Sequence, residues 1–196
     1  MSFISSCQSQ LVKIKKELLD DLISWCEINT HSLNVSGLGQ FYDLLSQKVV
    51  KMGFSPQHIA LSPFRVLQDH GQFITHDLGP AMVFSANPDA KLQLLFSIHT
   101  DTVFPVDHHF QKCVWVDEAH LCGPGVIDAK GGLLSILTII DCLKQHPKFN
   151  DIGITCLIVP DEEIGSPGSK KLFYDYAKGK TLGPVFEPCM PDGSII

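Results

Sequence analysis

The sequence predicts an α/β domain: a mixed, largely parallel sheet with helices on both faces, a three-layer αβα arrangement left incomplete. Three observations predict it. Residues 92–98 and 152–159 are near-continuous apolar runs of strand length, the signature of strands buried on both sides. Stretches with helical spacing alternate with strands in β-α-β-α order. Acidic and imidazole side chains fall directly after the strands, where ligands bind in open α/β sheets.

Taken in order, Leu11, Ile14, Leu18 and Leu22 recur at helical spacing, so residues 8–28 read as a helix. Phe41, Leu44, Leu45, Val49 and Met52 mark a second helix, ended by Gly53. Strand-like pieces come next at about 55–60, 64–69 and 81–86, then the run 92–98. Residues 114–116 and Leu121, separated by the polar stretch 117–120, read as a hairpin leading into a glycine-rich loop. Residues 131–143 are apolar almost all round, a helix buried on more than one side. After the strand 152–159, residues 169–177 are helical, and Val185-Phe186 opens another strand. Glycine and proline lie in the loops rather than in a linker, and no repeat is visible, so the chain reads as one domain.

Composition narrows the function classes. The chain has 196 residues, 44% hydrophobic and 18% charged, which is long enough for a sizeable core. A net charge of -6 and the lack of a basic cluster beyond Lys13, Lys15 and Lys16 argue against a nucleic-acid partner. No apolar stretch approaches the ~20 residues of a membrane span, and residues 1–10 lack the apolar core of a signal peptide. The 7 cysteines show no Cys-x-x-Cys spacing and read as reduced residues of a cytoplasmic protein.

Four short segments carry the chemistry: Ser97–Val103 (with His99 and Asp101), Gly123–Gly132 (with Asp128), Asp161–Ser166 (with Glu162 and Glu163), and Phe186-Glu187-Pro188. Together they offer nitrogen and oxygen ligands for a pair of divalent ions, with a carboxylate to spare. Taken singly, each has an ordinary reading as a surface histidine, a solvated acidic loop or a helix cap. Zinc accepts imidazole nitrogen and carboxylate oxygen, and two ions a few ångströms apart need a carboxylate that bridges them. Asp101 lies two residues from His99, on the same side of an extended segment, where a carboxylate can hold the second imidazole nitrogen.

In their order and spacing the four segments resemble those of the di-zinc peptidase and deacylase family that includes acetylornithine deacetylase, succinyl-diaminopimelate desuccinylase, aminoacylase and glutamate carboxypeptidase. The third segment continues Ser166-Pro167-Gly168-Ser169 and matches the family pattern in full. The Gly123-Pro124-Gly125 variant and Ala129 lean slightly toward the glutamate-carboxypeptidase side. The resemblance implies that Asp128 bridges two zinc ions, with Co²⁺ or Mn²⁺ as possible replacements. It implies that His99 and Glu187 complete one ion's protein ligands and that Glu163 binds the other. Glu162 is implied as the general base, Asp101 as the residue that holds His99, and Asp128-Ala129 as a cis peptide. The implied partner is a small peptide or N-acyl amino-acid substrate, and the implied full-length assembly is a homodimer.

The expected activity is hydrolysis of an amide or peptide bond next to an amino-acid carboxylate. The alternatives are N-acyl amino-acid deacylation, or an inactive fragment with a vestigial metal site. Residues 1–196 are expected to be the N-terminal part of the catalytic domain, without the lid and dimerisation domain or the C-terminal catalytic part. The chain alone is then expected to hold zinc weakly and to hydrolyse little. Residues 189–196 read as the start of a further strand. An uncovered apolar patch is expected on helix 131–143 or on the strand ending at Val159, with self-association or disorder near 188–196. His31 reads equally as a neighbour of the substrate region or a surface residue. His108, His109 and Lys130 receive no role.

Overall fold

The computed structural model describes residues 2–190, 193 and 194. Its central sheet has the order β1-β4-β8-β5, formed by Gln57–Ile59, Ala81–Ala86, Ile152–Val159 and Leu92–His99. β5 runs parallel to β8, whereas β4 is antiparallel to β8 and to β1. Beyond β5, Leu94 and Ser97 form parallel bridges with Leu182 and Val185. The segment expected as a strand at 185–186 therefore meets the sheet through single bridges. Two small antiparallel pairs complete the strands: β2 (Phe64–Leu67) with β3 (Phe73–His76), and β6 (Val114–Trp115) with β7 (Leu121–Cys122).

Strand side chains alternate between two apolar layers, as the pleat requires. Met82 and Phe84 of β4, Phe96 and Ile98 of β5, and Ile154, Cys156 and Ile158 of β8 face one layer. That layer is packed by α1 (Phe3–Cys26), α2 (Val35–Lys51) and α3 (Lys130–Lys144). Ala81, Val83, Leu95, Leu157 and Val159 face the other, where Leu172, Phe173 and Tyr176 of α4 (Lys170–Ala177) close the sandwich. Helices thus cover both faces.

Helix ends obey local chemistry. Ser2 accepts from Ser5 N–H at 3.2 Å, so α1 starts several residues before its apolar stripe begins. Asn34 accepts from Gly37 N–H at 3.1 Å and starts α2. Two glycines let α3 begin against the sheet edge. A Cβ on Gly131 would lie 2.2 Å from Val126 O, and one on Gly132 would lie 2.4 Å from Phe186 O. The glycine pair therefore brings the start of α3 close to the segment that carries Glu187.

Lys130 gains a structural role. It is fully buried, and its Nζ donates to Trp25 O and Ile28 O, each at 3.0 Å. The ammonium also sits 5.2 Å from the centroid of the Phe41 ring. Burial brings its pKa down to about 8. Lys130→Ala would leave two buried carbonyls without a donor and open a cavity. We expect a loss of about 2–5 kcal/mol in urea unfolding; a loss under about 1 kcal/mol would show that water replaces the ammonium without cost.

Of the apolar patch expected on helix 131–143 or at the end of β8, Ile139 of α3 is the exposed large apolar residue (38%). Leu133, Leu134, Ile136, Leu137 and Ile140 of α3 are buried, as is Val159. The α3 residues face α1, α2 and the sheet, and Val159 faces α4. Leu182 (58%) and Val185 (75%), beside β5, are more exposed. In the stretch expected to start a strand, Gly193 N–H donates to Met190 O and Met190 N–H to Ser194 O, closing a turn. Residues 191, 192, 195 and 196 lie outside the described residues.

Candidate metal centre

β5 and β8 are parallel and end together, so the residues beyond their C-terminal ends arrive at one edge. His99 is the last residue of β5 and is only 2% exposed. Asp161 lies just past β8 and is fully buried. Asp161 Oδ2 accepts from Gly168 N–H at 2.7 Å and Ser169 N–H at 3.0 Å. These bonds close the loop 161–169, within which Glu162–Ile164 form a short 3₁₀ turn, with Glu162 exposed and Glu163 half-buried. Asp128 comes from the loop before α3, and Glu187 from the segment bridged to β5 at Val185. The Asp128-Ala129 peptide is cis.

These residues meet. His99 Nε2 is 2.9 Å from Asp128 Oδ1 and 3.5 Å from Glu187 Oε2. Single ligand atoms of His99, Asp128 and Glu163 all lie within 4.8 Å of one another. His99 forms the buried floor, while the Asp128 and Glu187 side chains, 47% and 41% exposed, form an accessible mouth.

Asp101 sits beneath the floor with no exposure. Its Oδ1 is 3.3 Å from His99 Nδ1, and it also accepts from Glu162 N–H at 3.2 Å. Its Oδ2 accepts from Glu163 N–H at 3.1 Å and from the Ser32 hydroxyl at 2.6 Å. One carboxylate thus links the imidazole to the Glu162–Ile164 turn. The Ser32 contact is invisible in the sequence, because a hydroxyl reaching across 69 residues leaves no periodic signal. His31 bridges Thr102, which puts the α1–α2 turn beside the site. His108 stacks on His109 and Phe104 with ring centroids 4.3 and 5.2 Å away, and is not among the converging groups.

The electrostatics call for a cation. Burial alone would lower the His99 imidazole, but hydrogen bonds to Asp101 and Glu187 outweigh it and push the pKa up to about 11. Glu163 is pushed up to about 7 by burial and by the Asp128 carboxylate. Burial also raises Glu162, against the pull of His99. Protons gather where carboxylates crowd one imidazole. A divalent cation bound by one nitrogen and several carboxylate oxygens answers the same excess of negative charge, so the donor set fits such an ion.

The consequence for pH has a definite sign. Folded His99 keeps its proton up to about 11 against an ordinary 6.5, so its contribution to stability is full below 6.5 and is lost as pH rises toward 11. Folded Glu163 keeps its proton up to about 7 against 4.5, so stability falls between those values as well. The metal-free chain is expected to melt at a higher temperature at about pH 5 than at about pH 8, and added divalent metal to stabilise it more as pH rises. Melting curves across that range check this; a metal-free chain more stable at the higher pH would contradict it.

Comparison with known proteins adds a sequence and a fold relationship. Residues 95–196 match the family described as peptidase family M20/M25/M40. The chain is 31% identical over 128 residues to carboxypeptidase G2 of Pseudomonas sp. (strain RS-16), covering 62% of this chain and 31% of that protein. Its fold resembles that of the dipeptidase Dug1p of Saccharomyces cerevisiae (TM-score 0.73, 21% identity, 93% of this chain and 41% of that one). It also resembles human carnosine dipeptidase 1 (TM-score 0.72, 18% identity, 91% of this chain and 40% of that one). The chain therefore spans about a third to two-fifths of the length of these relatives.

Proposed function

The chain belongs to peptidase family M20/M25/M40, and from that premise we propose that it supplies most of the catalytic centre of a metal-dependent carboxypeptidase. In this reading it cleaves a peptide or amide bond next to an amino-acid carboxylate, as glutamate carboxypeptidases do. The observation that carries the reading is the convergence of His99, Asp128, Glu163 and Glu187 on one sheet edge, with Glu162 beside them. The 31% identity to a carboxypeptidase supports peptidase over deacylase chemistry. Residues 1–196 would be the N-terminal part of the catalytic domain, with the substrate-covering domain and the remaining ligand supplied by residues outside this chain.

The residues have separable tasks. His99, Asp128 and Glu187 would hold one zinc ion, Asp128 would be shared with a second, and Glu163 would serve that second ion. Zinc supplies Lewis acidity and brings the pKa of bound water toward ~7. The Glu162 carboxylate takes a proton from the attacking water and returns it to the leaving nitrogen. Burial raises its pKa, the direction that helps a carboxylate hold the proton between those two halves. Asp101 holds His99 through Nδ1, leaving Nε2 aimed at the mouth.

The test is an assay of the native gene product, stripped by chelator and reloaded with zinc. The expected result is zinc-dependent release of a C-terminal glutamate from peptides, in preference to cleavage of simple N-acetyl or N-succinyl amino acids. Preferential release of acetate or succinate from N-acyl amino acids would make the protein a deacylase instead. Failure to hydrolyse any of these, with zinc bound, would reduce the centre to a vestigial site.

A further inference from the structure

Ser32 lies in the α1–α2 turn and is only 1% exposed. Its hydroxyl is part of a docked strip between that turn and the end of β5. Thr30 Oγ1 donates to Thr100 O at 2.6 Å, and Thr102 N–H donates to Thr30 O at 3.1 Å. Asn34 N–H closes the turn on His31 O at 2.7 Å. Lys130 fixes the start of the same turn through the Trp25 and Ile28 carbonyls. The turn is therefore held at its start and along its length, and Ser32 is presented to Asp101 from a rigid support.

Asp101 has donors on both oxygens: its Oδ1 serves His99 and Glu162 N–H, and its Oδ2 serves Glu163 N–H. Those donors belong to the groups that Asp101 itself orients, so a donor on a separately held segment is what ties the carboxylate to the scaffold. The Ser32 bond, at 2.6 Å, is the shortest that Asp101 accepts among the described residues, and it comes from a segment far from the Glu162–Ile164 turn in sequence. We infer that Ser32 is a positioning residue: its hydroxyl fixes the plane of the Asp101 carboxylate, which aims the His99 imidazole and the Glu162–Glu163 backbone at one point. This role rests on the metal-site reading of the same residues, and it adds to that site a residue that touches neither ligand nor metal.

The experiment uses Co²⁺, whose visible absorption reports ligand geometry, on the parent chain and on Ser32→Ala. Affinity is read by chelator competition, and amide hydrogen exchange is measured at Glu162 and Glu163 with the β8 amides as reference. Ser32→Ala is expected to weaken Co²⁺ binding roughly 10-fold and to change the absorption bands. Exchange at Glu162 and Glu163 is expected to accelerate while β8 is unchanged, and Ser32→Thr is expected to restore both readouts. Ser32→Cys, close in volume and a poor donor, should repeat the Ala result.

Unchanged affinity, spectrum and exchange in Ser32→Ala would overturn the inference. Exchange that accelerates throughout the chain would do the same, as would failure of both Ala and Cys variants to fold, since either makes the hydroxyl a folding requirement. A parent chain that binds no Co²⁺ would sink the metal-site reading instead, and the exchange at Glu162 and Glu163 would still decide the role of Ser32.

Discussion

Glu162→Gln is expected to lower zinc-dependent hydrolysis by the native gene product roughly 10²- to 10⁴-fold while leaving zinc bound. Glu162 sits on the exposed side of the Glu162–Ile164 turn, while its neighbour Glu163 points into the group around His99 and Asp128. Its backbone N–H is fixed by Asp101, so the turn survives loss of the side-chain charge. Glutamine keeps the shape of glutamate and cannot take a proton, so only proton transfer is removed. Rates and bound zinc measured on the same preparation check this. Glu162→Gln that keeps full activity would hand the general-base role to another group. Glu162→Gln that loses its zinc would make Glu162 a ligand.

Asp128→Ala is expected to weaken zinc binding by at least about 100-fold, more than loss of a group outside the ligand set would cause. Asp128 stands 2.9 Å from His99 Nε2 and within 4.8 Å of Glu163, so it is the carboxylate placed to serve both sides of the centre. Its side chain is 47% exposed and its hydrogen bond is to His99 within the site, so the fold has little reliance on it. Loss of a crowding carboxylate should also relax Glu163 downward from about 7. Chelator competition gives the affinity, and a melting curve without metal gives the stability. A variant that unfolds would contradict the separation of site from scaffold, and one that binds zinc as the parent does would contradict the bridging role.

Much of this is legible in the sequence because the chemistry lies at strand ends. The apolar runs at 92–98 and 152–159 mark β5 and β8 to within a residue, and the groups after them are the ones that converge. Periodicity says nothing of which strands are neighbours, so the antiparallel place of β4 beside β8 comes only from the structure. β3 is not among the expected strands, although Phe73-Ile74-Thr75 after Gly71 carries an ordinary strand signal. Nothing local gives Lys130 its role, because a lysine on a helix is ordinarily solvated. Its burial depends on carbonyls about a hundred positions earlier in the chain. The Ser32–Asp101 bond is hidden for the same reason, since long-range polar contacts leave no pattern in the local sequence.

The sharpest test of the metal centre is an anomalous difference map from crystals of the chain grown with zinc. A peak is expected about 2.0–2.2 Å from His99 Nε2 and from carboxylate oxygens of Asp128 and Glu187, with any second peak beside Asp128 and Glu163. Zinc elsewhere on the chain, or none at this edge while His99 and Asp128 stay in contact, would contradict the metal centre.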